Sequence, residues 1–275
     1  MFIEKIDLYS YFNVERPEKA TKGELTVYAH TPNASESPNR LRPAMLVLGG
    51  GGYQYVSERE KEPVAMHFYT QGYNAFVLEY SCPAPYPIDL IEACMAMVYI
   101  RENAKKLQVD NEHVGAIGFS AGDHLCGCLS LLYKEEEVKA VLGEKYALAK
   151  PNAVVLSYPV ITSGKNSYSS SFEILAKDNP ALKAKLSLEN QVTSDAPPAF
   201  IWTTVADDAV PSENTLLIAT AYRKAGASFE LHMFENGDHG LSLANVEVSS
   251  PHAEVAQWKE LCKVWLDKRG FVINE

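Results

Sequence analysis

Apolar runs of strand length recur along this chain, separated by segments with helical periodicity. Five largely uninterrupted runs cover residues 44–48, 75–78, 114–119, 153–156 and 199–205. Uninterrupted runs of this kind are typical of parallel strands that are covered on both faces of a sheet. Residues 24–30 and 228–234 instead alternate between apolar and polar positions, which predicts two further strands. Turn residues at 31–33 and 37–39 end the first of them.

Apolar positions at helical spacing fill most of the intervals between the strands. The spacing predicts helices over 88–107, from 121 onward, over 212–225 and over 251–268, and a short polar helical stretch near 181–188. Gly226 supplies a C-cap for the third of these helices. Because strand and helix alternate without repeats or linkers, we predict one domain over residues 1–275. Its fold class is α/β: a mostly parallel, doubly wound sheet with helices on both faces.

Residues 163–197 depart from this pattern. Residues 167–171 are almost all small hydroxyl residues, and polar positions dominate the rest of the segment. We interpret the segment as an insertion over the strand ends. It is either a small cap that shapes substrate access or a surface segment without a function.

Charge and cysteine content limit the functional classes. The 275 residues carry a net charge of −10 and no basic patch, which disfavours a nucleic-acid partner. The five cysteines lack metal-binding or disulfide-like spacing. No signal-peptide core and no apolar run of about 18 residues is found, so we expect a cytoplasmic protein without a membrane partner.

A Gly-x-Ser-x-Gly pattern lies between the strand at 114–119 and the helix after it. The serine is Ser120, flanked by Gly118 and Gly122. On a sharp turn from strand to helix, the hydroxyl of such a serine projects above the sheet and can act as a nucleophile. The amide of Ala121, at the helix N-terminus, is positioned to stabilise an oxyanion.

Four glycines, residues 49–52, come directly after the strand at 44–48. Backbone amides in such a run can face a ligand without side-chain obstruction. The run is either a flexible turn or the source of the second oxyanion donor that a serine hydrolase needs from a separate loop. A phosphate-binding loop is disfavoured, because the run is not continued by Lys-Ser/Thr or by a G-x-G-x-x-G pattern.

A serine nucleophile needs a histidine base and a carboxylate that orients the base. Of the seven histidines, His239 is the best candidate because it lies in a loop after the last predicted strand. The preceding strand ends at Asp207 and Asp208, and we favour Asp207 over its neighbour. The order serine, aspartate, histidine is that of α/β-hydrolases.

Four blocks together resemble the α/β-hydrolase superfamily, and in particular its bacterial acetylxylan-esterase-like branch of sugar hydrolases. They comprise residues 50–53 with 56–60, 118–122 with 124–125, 206–211 with 213–214, and 234–241. The resemblance implies an α/β-hydrolase fold with Ser120 as nucleophile, His239 as base and Asp207 as orienting acid. It further implies an oxyanion hole formed by the backbone of Ala121, Gly51 and Gly52.

The resemblance also implies hydrolysis of short acyl esters, such as acetyl groups on sugars, with no metal and no organic cofactor. A small-molecule ester is then the substrate, and homo-oligomerisation stays open. Two alternatives remain: a small peptidase or amidase of the same fold, and a binding protein of this fold without turnover.

Three further residues are candidates for the pocket: Tyr53, Asp123 and Asp208. Tyr53 comes after the glycine run and either stacks on a sugar or belongs to the core. Asp123 stands where the family usually has glycine. A carboxylate there suits the helix dipole, but inside the pocket it would oppose an oxyanion and repel acidic substrates.

Overall fold

The computed structural model describes residues 1–31 and 40–274 and contains one eight-stranded sheet. Its order is β1-β2-β4-β3-β5-β6-β7-β8. The turns predicted within 32–33 and 37–39 lie outside the described residues. The strands are β1 (Phe2–Asp7), β2 (Glu24–Ala29), β3 (Arg42–Leu48), β4 (Asn74–Glu79), β5 (Val109–Phe119), β6 (Ala153–Ser157), β7 (Ala199–Thr204) and β8 (Phe229–Phe234).

Six strands, from β4 to β8 in sheet order, run parallel; at one edge β2 pairs antiparallel with β4, and β1 pairs antiparallel with β2. The predicted mostly parallel sheet is therefore confirmed. The apolar runs form its central strands. Their side chains are apolar on both faces because helices cover both faces there, and Leu46 and Val155 are fully buried. The parallel strands end at one edge, where Leu48 pairs with Gly118 and Gly118 with Leu156. Such an edge is where ligands bind in α/β sheets.

Ten α-helices are present in the described part of the chain. They are α1 (Leu8–Phe12), α2 (Glu62–Thr70), α3 (Ile88–Glu102), α4 (Ala104–Leu107), α5 (Ala121–Leu132), α6 (Glu136–Leu142), α7 (Ser169–Ala176), α8 (Pro180–Lys185), α9 (Glu213–Ala225) and α10 (Trp258–Asp267). Helices α3, α5 and α9 pack on one face of the sheet, and α2 and α10 pack on the other. Within the described ranges, no helix combines the length and the apolar character that crossing a membrane requires.

Two predicted helices differ from the observed ones. The helix predicted over 88–107 is interrupted at Asn103, where the backbone amide and the side-chain amide both donate to the carbonyl of Tyr99. The helix predicted over 251–268 becomes α-helical only at Trp258, after a 3₁₀ turn at Val255–Gln257. The helix predicted over 212–225 ends as expected, at Gly226 with φ of 72°.

The segment 163–197 contains α7 and α8. Buried Phe172, Leu175 and Leu188 pack it onto the core. Its entry is fixed by the buried Asn214 of α9, whose Oδ1 accepts the amides of Ile161 and Thr162 and whose Nδ2 donates to the carbonyl of Asn166. The segment is thus held firmly beside the strand ends, and its role as a cap stays a prediction.

Candidate active site

Ser120 lies on the turn between β5 and α5, in a strained backbone conformation. Its φ is 55° and its ψ is −118°, a region that costs a non-glycine residue on the order of 1–3 kcal/mol. The surrounding turn maintains this conformation: the Ser120 amide donates to the carbonyl of Ser157, and the Ser120 carbonyl accepts the amide of Val160. The strain directs the hydroxyl away from the sheet and toward the loops at its carboxyl edge.

The glycines on either side of this serine permit the close approach of neighbouring chain. A Cβ at Gly118 would lie 2.5 Å from the carbonyl oxygen of Gly122, and one at Gly122 would lie 2.3 Å from that of Leu48. Both distances are far below van der Waals contact. The strand β3 and the start of α5 can therefore lie side by side only because these two positions have no side chain.

The side chains of Ser120, His239 and Asp207 form one hydrogen-bonded line. The Ser120 Oγ lies 2.8 Å from the His239 Nε2, and the His239 Nδ1 lies 2.7 Å from the Asp207 Oδ2. A carboxylate can only accept, so the Nδ1 carries a proton and the Nε2 presents its lone pair to the serine hydroxyl. This is the arrangement in which a histidine can take a proton from a serine.

The structure separates the two neighbouring aspartates, although the sequence left them as alternatives. The second carboxylate oxygen of Asp207 accepts the amides of Ala209 at 3.0 Å and Val210 at 2.8 Å, which fixes its orientation, and its side chain is fully buried. Asp208 is exposed, and among the described residues its carboxylate accepts a hydrogen bond only from the backbone amide of His239, at 3.4 Å. It does not line the cavity, so its expected place in the pocket was wrong.

Gly51, Gly52 and Ala121 carry the backbone amides expected to form an oxyanion hole. Gly51 has φ of 124°, and a Cβ there would lie 2.2 Å from the carbonyl oxygen of Tyr55. Gly51 and Gly52 line the same cavity as the serine. Within the described chain, neither of these two amides donates to another group. They can therefore donate to a ligand, whereas the amide of Gly50 is already bonded to Glu60.

Glu60 is a residue of this site that the sequence reasoning did not single out. Its buried carboxylate accepts the Gly50 amide at 2.8 Å through one oxygen and the Tyr158 hydroxyl at 2.6 Å through the other. The Tyr158 hydroxyl in turn accepts the amide of Ser242, and its ring packs edge-on against His239 with centroids 5.0 Å apart. One carboxylate thus connects the glycine loop with the loop that carries the histidine.

Asp123 does not lie in the pocket, although the sequence made it a candidate pocket residue. It is fully buried, does not line the cavity, and neither carboxyl oxygen has a hydrogen-bond partner among the described residues. Burial raises the pKa of this carboxyl well above 3.8, the amide of Ser157 opposes the shift, and the charge of Glu60 adds to it. Burial therefore favours the neutral form of this carboxyl, which lies outside the cavity.

Asp123→Asn should change how stability depends on pH. In wild type the folded state keeps the Asp123 proton to a higher pH than the unfolded state does. The free energy of unfolding therefore falls as pH rises above about 3.8. The slope is about 1.4 kcal/mol per pH unit while only the folded form is protonated. The variant has no such slope. Urea unfolding at pH 5 and pH 8 should show the variant gaining stability over wild type at the higher pH, and parallel pH profiles would contradict the assignment.

Tyr53 belongs to the core and not to the pocket, which corrects the sugar-stacking alternative. It has no exposed surface, and its hydroxyl donates to the Nδ1 of His124 at 2.8 Å. The His124 Nε2 donates to the carbonyl of Leu186, and burial lowers the pKa of this imidazole to about 4. The pair is a neutral structural contact between the glycine loop, α5 and the inserted segment.

A cavity of about 180 Å³ opens over the serine hydroxyl. Besides Ser120, His239 and the two glycines, its walls include Tyr168 from the inserted segment and Arg59 from the turn after the glycine loop. The sequence reasoning assigned neither side chain a role: Tyr168 lies in the segment without a motif, and Arg59 lies in the block 56–60, whose pattern does not show which side chains reach the cavity. The inserted segment therefore contributes directly to the shape of the pocket.

Comparisons with known proteins identify relatives of this chain. Residues 29–222 match the model of the BD-FAE family, a range that includes Ser120 and Asp207 and ends before His239. The chain is 39% identical over 217 residues to endo-1,4-beta-xylanase B of Butyrivibrio fibrisolvens, covering 76% of this chain and 34% of that protein. It is 31% identical over 208 residues to an acetylxylan esterase of Xylanibacter ruminicola, covering 72% of this chain and 40% of that protein.

Solved structures extend the likeness over the whole chain. The crystal structure of an acetyl ester-xyloside bifunctional hydrolase from Caldicellulosiruptor lactoaceticus superimposes with a TM-score of 0.83 at 32% identity, covering 98% of this chain and 97% of that one. The two relatives matched by sequence are longer, and this chain spans between about a third and two fifths of their length.

Proposed function

Because this chain belongs to the BD-FAE family of α/β-hydrolases, we propose that it is a serine carboxylesterase that removes short acyl groups, acetyl above all, from sugars or oligosaccharides. The observation that carries the proposal is the hydrogen-bonded line from Ser120 through His239 to Asp207, with spacings of 2.8 and 2.7 Å. The line ends in a cavity that Gly51 and Gly52 also line, and the amides of these two glycines make no hydrogen bond within the described residues.

In the first half of the reaction, the Ser120 Oγ attacks the acyl carbon while the His239 Nε2 takes its proton. Asp207 holds the imidazole in the required tautomer and stabilises the cation that forms. The amides of Gly51, Gly52 and Ala121 stabilise the negative charge on the carbonyl oxygen. His239 then gives the proton to the alcohol oxygen, the ester bond breaks, and an acyl-serine remains.

In the second half, a water molecule attacks the acyl-serine and His239 takes the proton of that water. The same amides stabilise the second oxyanion. Collapse of the intermediate returns the proton to the Ser120 Oγ and releases the carboxylic acid. Bonds and protons balance over the two halves: one ester and one water give one alcohol and one acid.

The substrate class rests on the cavity and on the relatives. A volume of about 180 Å³ lies below the roughly 300–1,000 Å³ typical of pockets for drug-sized ligands, which favours a short acyl group. The relatives act, by their names, on xylan or its acetyl esters, and one is an acetyl ester-xyloside hydrolase. An acetylated xylose unit is the simplest substrate consistent with both observations.

Activity on a series of esters tests the proposal. We expect kcat/KM to fall at least tenfold from p-nitrophenyl acetate to p-nitrophenyl octanoate, since the longer chain exceeds the cavity. Release of acetate from acetylated xylo-oligosaccharides, measured with an acetate assay, tests whether the ester substrate is a sugar. Equal or higher kcat/KM with octanoate would contradict the short-acyl specificity, and turnover of aryl acetates without release from the oligosaccharides would contradict the sugar specificity alone.

A further inference from the structure

Arg59 is the only cationic side chain among the described residues that line the cavity. We infer that the pocket takes esters whose alcohol half carries a carboxylate, with acetylated uronic-acid sugars as the natural class, and that Arg59 binds this carboxylate. The inference rests on the proposed esterase function and makes its substrate class more specific. Three features of Arg59 support it: the lack of an ion pair with any described carboxylate, its side of the pocket and its fixed backbone.

The Arg59 guanidinium is nearly unused within the protein. It forms no ion pair with any carboxylate in the described ranges, and its hydrogen bond to the Ser250 hydroxyl is long at 3.4 Å. The neighbouring Glu58 pairs with Lys61 at 2.8 Å instead. Arginine offers five donors in a planar fork that matches a carboxylate. Most of these donors are free to bind a ligand.

The guanidinium lies on the side of the cavity where the alcohol leaves. A Cβ at Gly240 would be 2.6 Å from the Arg59 Nη2, so this group packs directly against the residue after His239. His239 gives its proton to the leaving alcohol, which places the alcohol half of the ester next to the imidazole. A negative charge on that half would therefore approach Arg59.

The backbone of Arg59 is held in place before any ligand arrives. Its carbonyl accepts the Ser242 hydroxyl at 2.7 Å, and the next residue is the buried Glu60 described above. A charged group on a fixed backbone loses less freedom on binding. The exposed ring of Tyr55 lines the same cavity and offers an apolar face for a sugar ring. Glu60 lines the same cavity, but its two carboxylate oxygens already accept the Gly50 amide and the Tyr158 hydroxyl, so Arg59 supplies the positive charge for an anionic group among the described lining residues.

Matched pairs of aryl acetates test the inference. The wild type is assayed with 3- and 4-acetoxybenzoate and with the corresponding 3- and 4-acetoxybenzamides, which have the same shape without the charge. The quantity compared is the ratio of kcat/KM for the carboxylate to that for the amide. We expect Arg59→Gln to lower this ratio about tenfold for at least one isomer, and added NaCl to lower it in wild type. Arg223→Gln, which removes the same charge from an exposed position outside the cavity, is the control.

Each remaining outcome overturns the inference in a distinguishable way. An unchanged ratio in Arg59→Gln means that the guanidinium does not bind the carboxylate. An equal loss on both members of a pair means that Arg59 supports the shared machinery instead. An equal fall of the ratio in Arg223→Gln means that only the overall charge matters. If wild type hydrolyses none of the four esters and no p-nitrophenyl acetate, the esterase function itself fails, and this inference fails with it.

Discussion

Replacing Ser120 with alanine should lower kcat on p-nitrophenyl acetate by at least ~10³-fold. The Oγ is the atom that forms the acyl bond in the proposed reaction, and no other hydroxyl lies within hydrogen-bonding distance of the His239 Nε2 in the described structure. The activity that remains would come from the oxyanion donors and from substrate binding. Initial rates under saturating substrate measure the effect, and intact-mass spectrometry of a quenched reaction should detect an acetyl adduct in wild type alone.

A matched serine in the same cavity controls for this experiment. Ser57 also lines the cavity, and its hydroxyl makes no hydrogen bond within the described residues. Ser57→Ala should therefore retain kcat within about threefold of wild type. If Ser120→Ala kept wild-type turnover, or if the acetyl adduct appeared on that variant, the nucleophile would be a different residue and the mechanism proposed above would be wrong.

The second large effect is expected at the aspartate that contacts the histidine. Asp207→Asn should lower kcat by about 10⁴-fold, since an amide can donate to the Nδ1 and stabilise the tautomer whose Nε2 carries the proton. That tautomer cannot accept the proton of Ser120. The buried Asp207 carboxylate accepts a hydrogen bond from the imidazole Nδ1 at 2.7 Å. The tautomer of the imidazole therefore depends on having a group at this position that can only accept.

Asp208→Asn is the same substitution one residue later and is the matched control. Asp208 is exposed and only its contact with the His239 amide would change, so we expect a loss of less than tenfold. The pH profile of kcat/KM on p-nitrophenyl acetate, with kcat at its plateau, measures both variants. A larger loss in Asp208→Asn than in Asp207→Asn would reverse the assignment of the orienting acid.

The sequence was most informative where one segment alone determines the structure. The central strands are buried on both faces, so their apolar runs were recognisable, and Gly226 marked the end of α9. The missed elements lack such patterns. Strand β1 lies at the sheet edge with most side chains exposed, and the short helices α2 and α6 bury only three and two residues.

In the candidate site, too, the residues that follow a local motif could be predicted from the sequence, and those that depend on distant contacts could not. Ser120, Asp207 and His239 each come after a strand, so their order and local motifs sufficed to nominate them, and the structure brings their side chains together while their roles stay a prediction. Glu60 meets Tyr158 across 98 residues of sequence, a contact that no local pattern indicates. The direction of a side chain at the start of a helix is also invisible in sequence, which is why Asp123 was misplaced.

The double contact of Glu60 limits how this site can be redesigned. Its two oxygens hold the glycine loop and, through Tyr158, the histidine loop, and leaving either partner buried without an acceptor costs about 1–3 kcal/mol. A loop grafted from a relative would therefore have to bring a compatible partner for this carboxylate. For an engineer, the transferable module is the pair of loops together with Glu60 and Tyr158, and neither loop is interchangeable by itself.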